Sequence, residues 1–151
     1  MIRVIRTNSD NTDFRTLVQL LAADLAEKDG DDHAFFKQYN NIDMIRHVVV
    51  AYDEDIPVGC GAFKSYNSET AEIKRMFVLP EHRGKGIAGQ VLNALEQWAA
   101  EEGFTGCILE TGKKMTDAIR LYQRKNYQLT ENYGQYIGVE SSVCMKKQFN
   151  S

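Results

Sequence analysis

The segment from Ala71 to Gly89, AEIKRMFVLPEHRGKGIAG, constrains this chain more than any other. Its first part reads as a strand, Pro80 opens a short turn, and a basic glycine-rich loop leads into a long helix. Such a loop presents unpaired backbone N–H groups at the positive end of a helix dipole, which suits a phosphate or pyrophosphate. The rest of the chain must therefore build a sheet around that strand and a core beneath that helix.

The chain has 151 residues, enough for a single domain (1–151) with one good core. Its net charge of −3 makes the basic cluster around Arg83 a local feature, so no nucleic-acid partner is expected. Residues 1–10 lack the apolar centre of a signal peptide, and no run approaches a membrane span. Cys60, Cys107 and Cys144 fall in strand-like segments and read as reduced core thiols, with no metal site. These features lead us to expect a cytoplasmic protein with no membrane partner.

Ile2–Arg6 is expected as a strand, followed by a helix carrying Phe14, Leu17, Val18, Leu21 and Leu25, with Ser9, Asn11 or Thr12 as its cap. Glu27–Asp32 reads as a charged turn, and His33–Asn41 as a short helix or an ordered loop. Arg46–Tyr52 and Ile56–Tyr66 suggest a hairpin, with the strand Thr70–Val78 next. The helix from about Lys85 to Glu102 places Ile87, Val91, Leu95 and Trp98 on one stripe and ends at Gly103. A strand Gly106–Glu110, a helix with Met115, Ala118, Ile119 and Tyr122, and closing strands Tyr127–Thr130 and Ser142–Phe149 complete the order. This is an α/β (α+β) pattern: a mixed, mostly antiparallel sheet of about seven strands with three to four helices.

Gly84 to Gly89 also matches the GxGxxG dinucleotide fingerprint. The strand before that fingerprint should be nearly all apolar, and here it carries Glu72, Lys74 and Arg75. No GxxxxGK[ST] loop occurs anywhere.

Read from Arg83, the loop RGKGIA fits [RQ]-x-x-G-x-[GA] and resembles the acyl-CoA-binding core of the GNAT superfamily of N-acetyltransferases. Leu109-Glu110-Thr111, a helix through Tyr122, then Asn126-Tyr127, is similar to that family's second core motif, and the element order matches along nearly the whole chain. Two positions depart from the pattern. Met115 stands where an asparagine is frequent, and Asn126 where glycine usually precedes the aromatic. The LETG stretch at Leu109–Gly112 and the tyrosine-rich C-terminal loop resemble a bacterial, small-acceptor-like subgroup, a resemblance that assigns no substrate.

The resemblance implies acetyl-CoA as cofactor, held by Arg83, Gly84, Lys85, Gly86, Ile87 and Ala88, with Met76, Phe77 and Val78 along the pantetheine arm. It implies an oxyanion donor near Phe77 or Val78. It also implies Glu72, eleven residues ahead of Arg83, as general base and Tyr122 as general acid. The residues alone leave alternatives: Glu72 as a surface carboxylate paired with Lys74 or Arg75, and Tyr122 as a core tyrosine. Phe36, Tyr39, Arg75 and Tyr136 are expected to line the acceptor site, with Phe35, Gln38, Tyr133 and Ser142 nearby. Arg75 would hold a substrate carboxylate or pair with Glu72. The expected partner is a small amine or amino acid, with a homodimer possible. A protein-lysine or N-terminal acetyltransferase and a non-catalytic acyl-CoA sensor are the competing readings.

Overall fold

A computed structural model describes residues 1–29 and 45–149. The expected elements at His33–Asn41, with Phe36 and Tyr39, lie outside the described residues. Seven strands form one sheet: β1 (Ile2–Thr7), β2 (His47–Asp53), β3 (Ile56–Ser65), β4 (Thr70–Val78), β5 (Gly106–Gly112), β6 (Gln128–Thr130) and β7 (Ser142–Gln148). Their order is β1-β2-β3-β4-β5-β7-β6. Only β4 and β5 run parallel, joined by the crossover helix α2 (Ile87–Glu101); every other pairing is antiparallel. The remaining described helices are α1 (Thr12–Asp29) and α3 (Thr116–Arg124). None is long and apolar enough to cross a membrane.

Period-two alternation in β2 divides the core. Val48, Val50 and Tyr52 meet Phe14, Leu17, Val18 and Leu21 of α1, while Val49 and Ala51 meet Val91, Leu92, Leu95 and Ala99 of α2 on the other face. Asn11 caps α1, its side-chain oxygen accepting the Phe14 N–H at 2.9 Å. On α2 the deeply buried stripe includes Leu92 and Ala99. Trp98 sits at its margin instead, with Arg6 over its ring at 5.0 Å and His47 against its edge. An indole is too wide for the layer that Ala99 fills. Fully burying each large apolar side chain on this stripe contributes roughly 1.5–3 kcal/mol.

Helix α3 ends as the Asn126 substitution allowed. Asn126 takes a left-handed φ of 73°. Its N–H donates to the Gln123 carbonyl at 3.1 Å, and the Tyr127 N–H to the Tyr122 carbonyl at 2.9 Å. These two bonds form a Schellman motif, and the Tyr122 and Tyr127 rings pack edge to face at 5.7 Å as its apolar contact. The helix stop thus fixes the Tyr122 side chain against the sheet.

In β4 the alternation slips. Ile73, Met76 and Val78 pack toward α2, so one extra residue lies between Ile73 and Met76. The register with β3 shifts there, between Cys60 and Ala62, and Arg75 takes a left-handed φ of 62°. This is a β-bulge with Arg75 and Met76 opposite Gly61. Gly61 fits because nothing larger does: a β-carbon there would lie 2.6 Å from Met76 Sδ and 2.8 Å from Leu95 Cδ1.

Gly61→Ala is therefore expected to cost about 1–3 kcal/mol in urea unfolding, through overpacking between the bulge and α2. Asn126→Gly should change stability by less than about 1 kcal/mol, whereas Asn126→Val should lower it by about 1–2 kcal/mol because its branched Cβ resists the left-handed turn.

Candidate active site

At the bulge β4 has already left its parallel neighbour. Pairing between β4 and β5 runs from Thr70↔Gly106 to Ile73↔Leu109 and stops, although both strands continue. A cavity of about 120 Å³ fills the opened gap. Its walls are Glu72–Met76 of β4, Glu110–Gly112 of β5, Met115, Ala118 and Tyr122 at α3, Leu21 of α1, and Tyr136.

The strand edge facing this gap carries usable donors. The Leu79 N–H donates to the Val58 carbonyl at 2.9 Å, and Phe77 pairs with Cys60 in the same register. N–H groups alternate edges along a strand, so those of Phe77 and Leu79 turn to β3 and that of Val78 turns to the gap. Of the two positions expected for the oxyanion donor, Val78 has the required direction.

Glu72 reaches the cavity from the face opposite Ile73 and is 5% exposed. Its carboxylate accepts a 2.8 Å hydrogen bond from the Tyr133 hydroxyl, and the Lys74 and Lys64 ammonium groups stand 3.8 and 3.9 Å away. The surface-carboxylate alternative fails on burial. Of the two partners weighed in the sequence, Lys74 is present. Burial, then the charge of Glu72, pushes the Tyr133 hydroxyl pKa up, so Tyr133 stays a donor to that carboxylate. Desolvation lowers the Lys74 ammonium pKa, opposed by Glu72.

Tyr122 is buried and lines the cavity, with Met115 and Ala118 on the same helix face. Burial, reinforced by the Glu110 charge, raises its pKa far above the ordinary phenol value. The shift favours the protonated phenol at neutral pH.

At the far end of β4 a short 3₁₀ turn, Pro80–His82, delivers the glycine loop to α2. Gly84 and Gly86 have φ of 80° and 81°, a conformation that other residues resist, and β-carbons there would meet nothing within 4 Å. The first helical bond of α2 is Gln90 N–H to the Gly86 carbonyl at 3.1 Å, and no side chain caps this end. The N–H groups of Ile87, Ala88 and Gly89 thus lack helical acceptors and face an open approach.

The loop's side chains behave unequally. Lys85 is exposed. Arg83 is turned back: its Nε donates to the Val78 carbonyl at 2.9 Å, Nη2 lies 3.6 Å from Asp24, and its guanidinium covers the Phe77 ring. Arg83 therefore braces the turn between strand and loop. Lys125, which the sequence did not single out, supplies a further cation. A β-carbon at Gly89 would lie 3.1 Å from Lys125 Cε and 3.3 Å from its Nζ, so the ammonium rests against the first turn of α2. Its only sequence signal is its position just after the Tyr122 helix.

Of the expected acceptor residues, Arg75 and Tyr136 line the cavity, while Phe36 and Tyr39 lie outside the described residues. Tyr133 and Tyr136 pack edge to face at 5.5 Å behind Glu72, and Tyr66 backs Tyr133 at 5.1 Å. The three cysteines are buried free thiols, and burial pushes Cys60 and Cys107 up to about 12 and Cys144 to about 11. No cluster among the described residues could hold a metal ion.

Comparison with known proteins accords with this geometry. Residues 14–127 match the model of the Acetyltransferase (GNAT) family. The uncharacterized N-acetyltransferase YsnE of Bacillus subtilis is 34% identical over 100 residues, which span 65% of this chain and 66% of YsnE. The structure of a putative acyl-CoA N-acyltransferase from Klebsiella pneumoniae superposes with a TM-score of 0.82 at 26% identity, covering 99% of both chains. A GNAT family acetyltransferase from Elizabethkingia anophelis, solved with acetyl-CoA bound, shares the fold with a TM-score of 0.72 at 19% identity over 98% of both chains. Sequence motif, sheet topology and family match agree: the chain belongs to the GNAT family of acetyltransferases.

Proposed function

We propose that this chain transfers an acetyl group from acetyl-CoA to the primary amine of a small molecule or amino acid, by direct attack with both substrates bound. The observation that carries this reading is the gap between β4 and β5. It brings a buried carboxylate and a buried phenol to one cavity, with an outward strand N–H at Val78 and an uncapped helix start further along the same chain segment. The residues fit the cofactor. The N–H groups of Gly84–Gly89 would hold the pyrophosphate with Lys85 and Lys125, and β4 from Met76 to Val78 would run beside the pantetheine arm.

Acetyl-CoA supplies the acetyl group as an activated thioester, so the protein's task is to free the amine and manage charge. An alkylamine of pKa ~10.4 is neutral in only about one molecule in 2,500 at pH 7, a cost of roughly 4.6 kcal/mol. Glu72, directly or through one water, takes that proton, and its contact with Tyr133 fixes the carboxylate's orientation. The amine nitrogen then bonds to the acetyl carbon as the carbon–sulfur bond breaks. The Val78 N–H meets the charge developing on the carbonyl oxygen. Tyr122 gives a proton to the departing thiolate and regains one from solvent, and water accepts the proton held by Glu72. Products are the N-acetylated amine and coenzyme A.

A small acceptor is favoured over a protein chain because Leu21 and Tyr136, the latter backed by Tyr133, wall the cavity. A homodimer would pair through β1 or β6, the two sheet edges.

Turnover of acetyl-CoA, followed as free thiol against amino acids, polyamines, aminoglycosides and lysine peptides, tests the reading. Release with one small-amine class is expected; bound acetyl-CoA with no release for any acceptor would leave a sensor. Tyr122→Phe and Glu72→Gln should each lower kcat by about a hundredfold, with the KM for acetyl-CoA little changed. With its pKa raised, the Tyr122 phenol keeps its proton above pH 10, so kcat should show no loss assignable to tyrosine ionisation between pH 7 and 10. Lys125→Ala should raise the KM for acetyl-CoA by about fivefold, and more steeply at low salt, without altering kcat.

A further inference from the structure

Arg75 is the extra residue of the β4 bulge, and the acetyl-transfer chemistry above gives it no task. A strand residue normally points to one face or the other. Arg75 is released from that alternation by its left-handed φ of 62°, and its side chain lines the cavity instead. It is 7% exposed. Its Nε and Nη2 have no hydrogen-bond acceptor among the described residues. Electrostatically it meets the Tyr136 hydroxyl and the Cys60 thiol, both neutral at pH 7, and the like charge of Lys74. Glu72, three positions before Arg75, is instead engaged by Tyr133, Lys74 and Lys64.

A buried guanidinium without acceptors is costly, because water that would have solvated it has been removed and nothing replaces it. The two unused N–H groups also have a specific shape. Nε and Nη2 lie on one edge of the planar guanidinium, the edge that grips a carboxylate through two parallel hydrogen bonds. The same cavity carries the Glu72 carboxylate, which suits an ammonium or amine. Opposite charges at separate positions in one small cavity describe a ligand carrying both an amine and an anion.

We infer that the acceptor is an amino acid, an amine bearing a carboxylate, and that Arg75 anchors the carboxylate by a bidentate contact through Nε and Nη2. This rests on the acetyl-transfer reading for the reaction and adds the acceptor's chemical class. Arg75 binds acceptor and not cofactor: the phosphate-binding loop begins at Arg83, beyond the end of β4.

The test uses the full chain with free α-, β- and γ-amino acids, each matched to its carboxamide and its decarboxylated amine. For the best substrate, kcat/KM should exceed that of its carboxamide by about a hundredfold, the scale of a lost charge-assisted bidentate contact. Arg75→Gln should collapse that ratio to within about threefold, by raising the KM of the amino acid while the KM for acetyl-CoA holds. Arg75→Lys should leave an intermediate ratio, since it keeps the charge and loses the fork. A ratio compares two acceptors on one protein, so a uniformly weakened variant does not mimic the result. Should Arg75→Gln fail to fold, the wild-type ratio and Arg75→Lys still decide.

Equal wild-type rates for amino acid and carboxamide, a preference for the decarboxylated amine, or an unchanged ratio in Arg75→Gln would overturn the inference. Calorimetry of the same pairs on coenzyme A-saturated protein separates the two readings. Amino-acid binding lost in Arg75→Gln, without turnover, would support the carboxylate site and contradict acetyl transfer. Turnover of amines lacking carboxylates would do the reverse.

Discussion

Everything at the site depends on one extra residue in β4. The bulge at Arg75 and Met76 is seated on Gly61, held by α2 behind it, and tied by the Cys60 thiol, which donates to the Arg75 carbonyl at 3.3 Å. Without it β4 would continue beside β5 in parallel register, and the strand edge would be consumed by sheet hydrogen bonds. With it the strands part after Ile73 and Leu109, and a cavity opens between them. A departure from regular pairing thus creates both the cavity and the open Val78 N–H. The same departure releases Arg75 from the strand's alternation.

Around that gap the fold distributes charge by position. The loop end offers N–H groups, Lys85 and Lys125 to an anion, without large cost because this end is open to water. The cavity end holds Glu72, Glu110, Lys74 and Arg75 in restricted space, where each interaction is stronger and each unmet partner more costly. Tyr122 lines the cavity from α3. The helix stop at Asn126 holds it there, so a backbone feature sets the position of a proposed proton donor.

Much of this was legible in the sequence because it is local. The glycine loop, its helix, the strand order and the asparagine stop follow from short-range patterns: apolar spacing, turn residues, and residues that tolerate positive φ. The bulge was not expected: its trace in the sequence, the slip from Ala71 and Ile73 to Met76 and Val78, is hidden by the charged residues beside it. What escaped depends on distant contacts. Tyr133 reaches Glu72 across 61 residues, and Lys125 meets Gly89 only because α3 ends beside α2. Arg83 was expected to meet the phosphates, and its guanidinium is partly spent on Val78 and Asp24. Nothing in a sequence spacing shows which of several nearby acceptors a long side chain takes.

In the proposed function, the opened β4 edge and the uncapped loop form one continuous binding surface for acetyl-CoA. Amide hydrogen exchange, followed by NMR with and without acetyl-CoA, tests it most directly. The Val78 N–H and those of Gly84 to Gly89 should become protected together on binding, while Phe77 and Leu79, already turned to β3, change little. Protection of the loop with Val78 still exchanging freely, or protection at Phe77 instead, would contradict it.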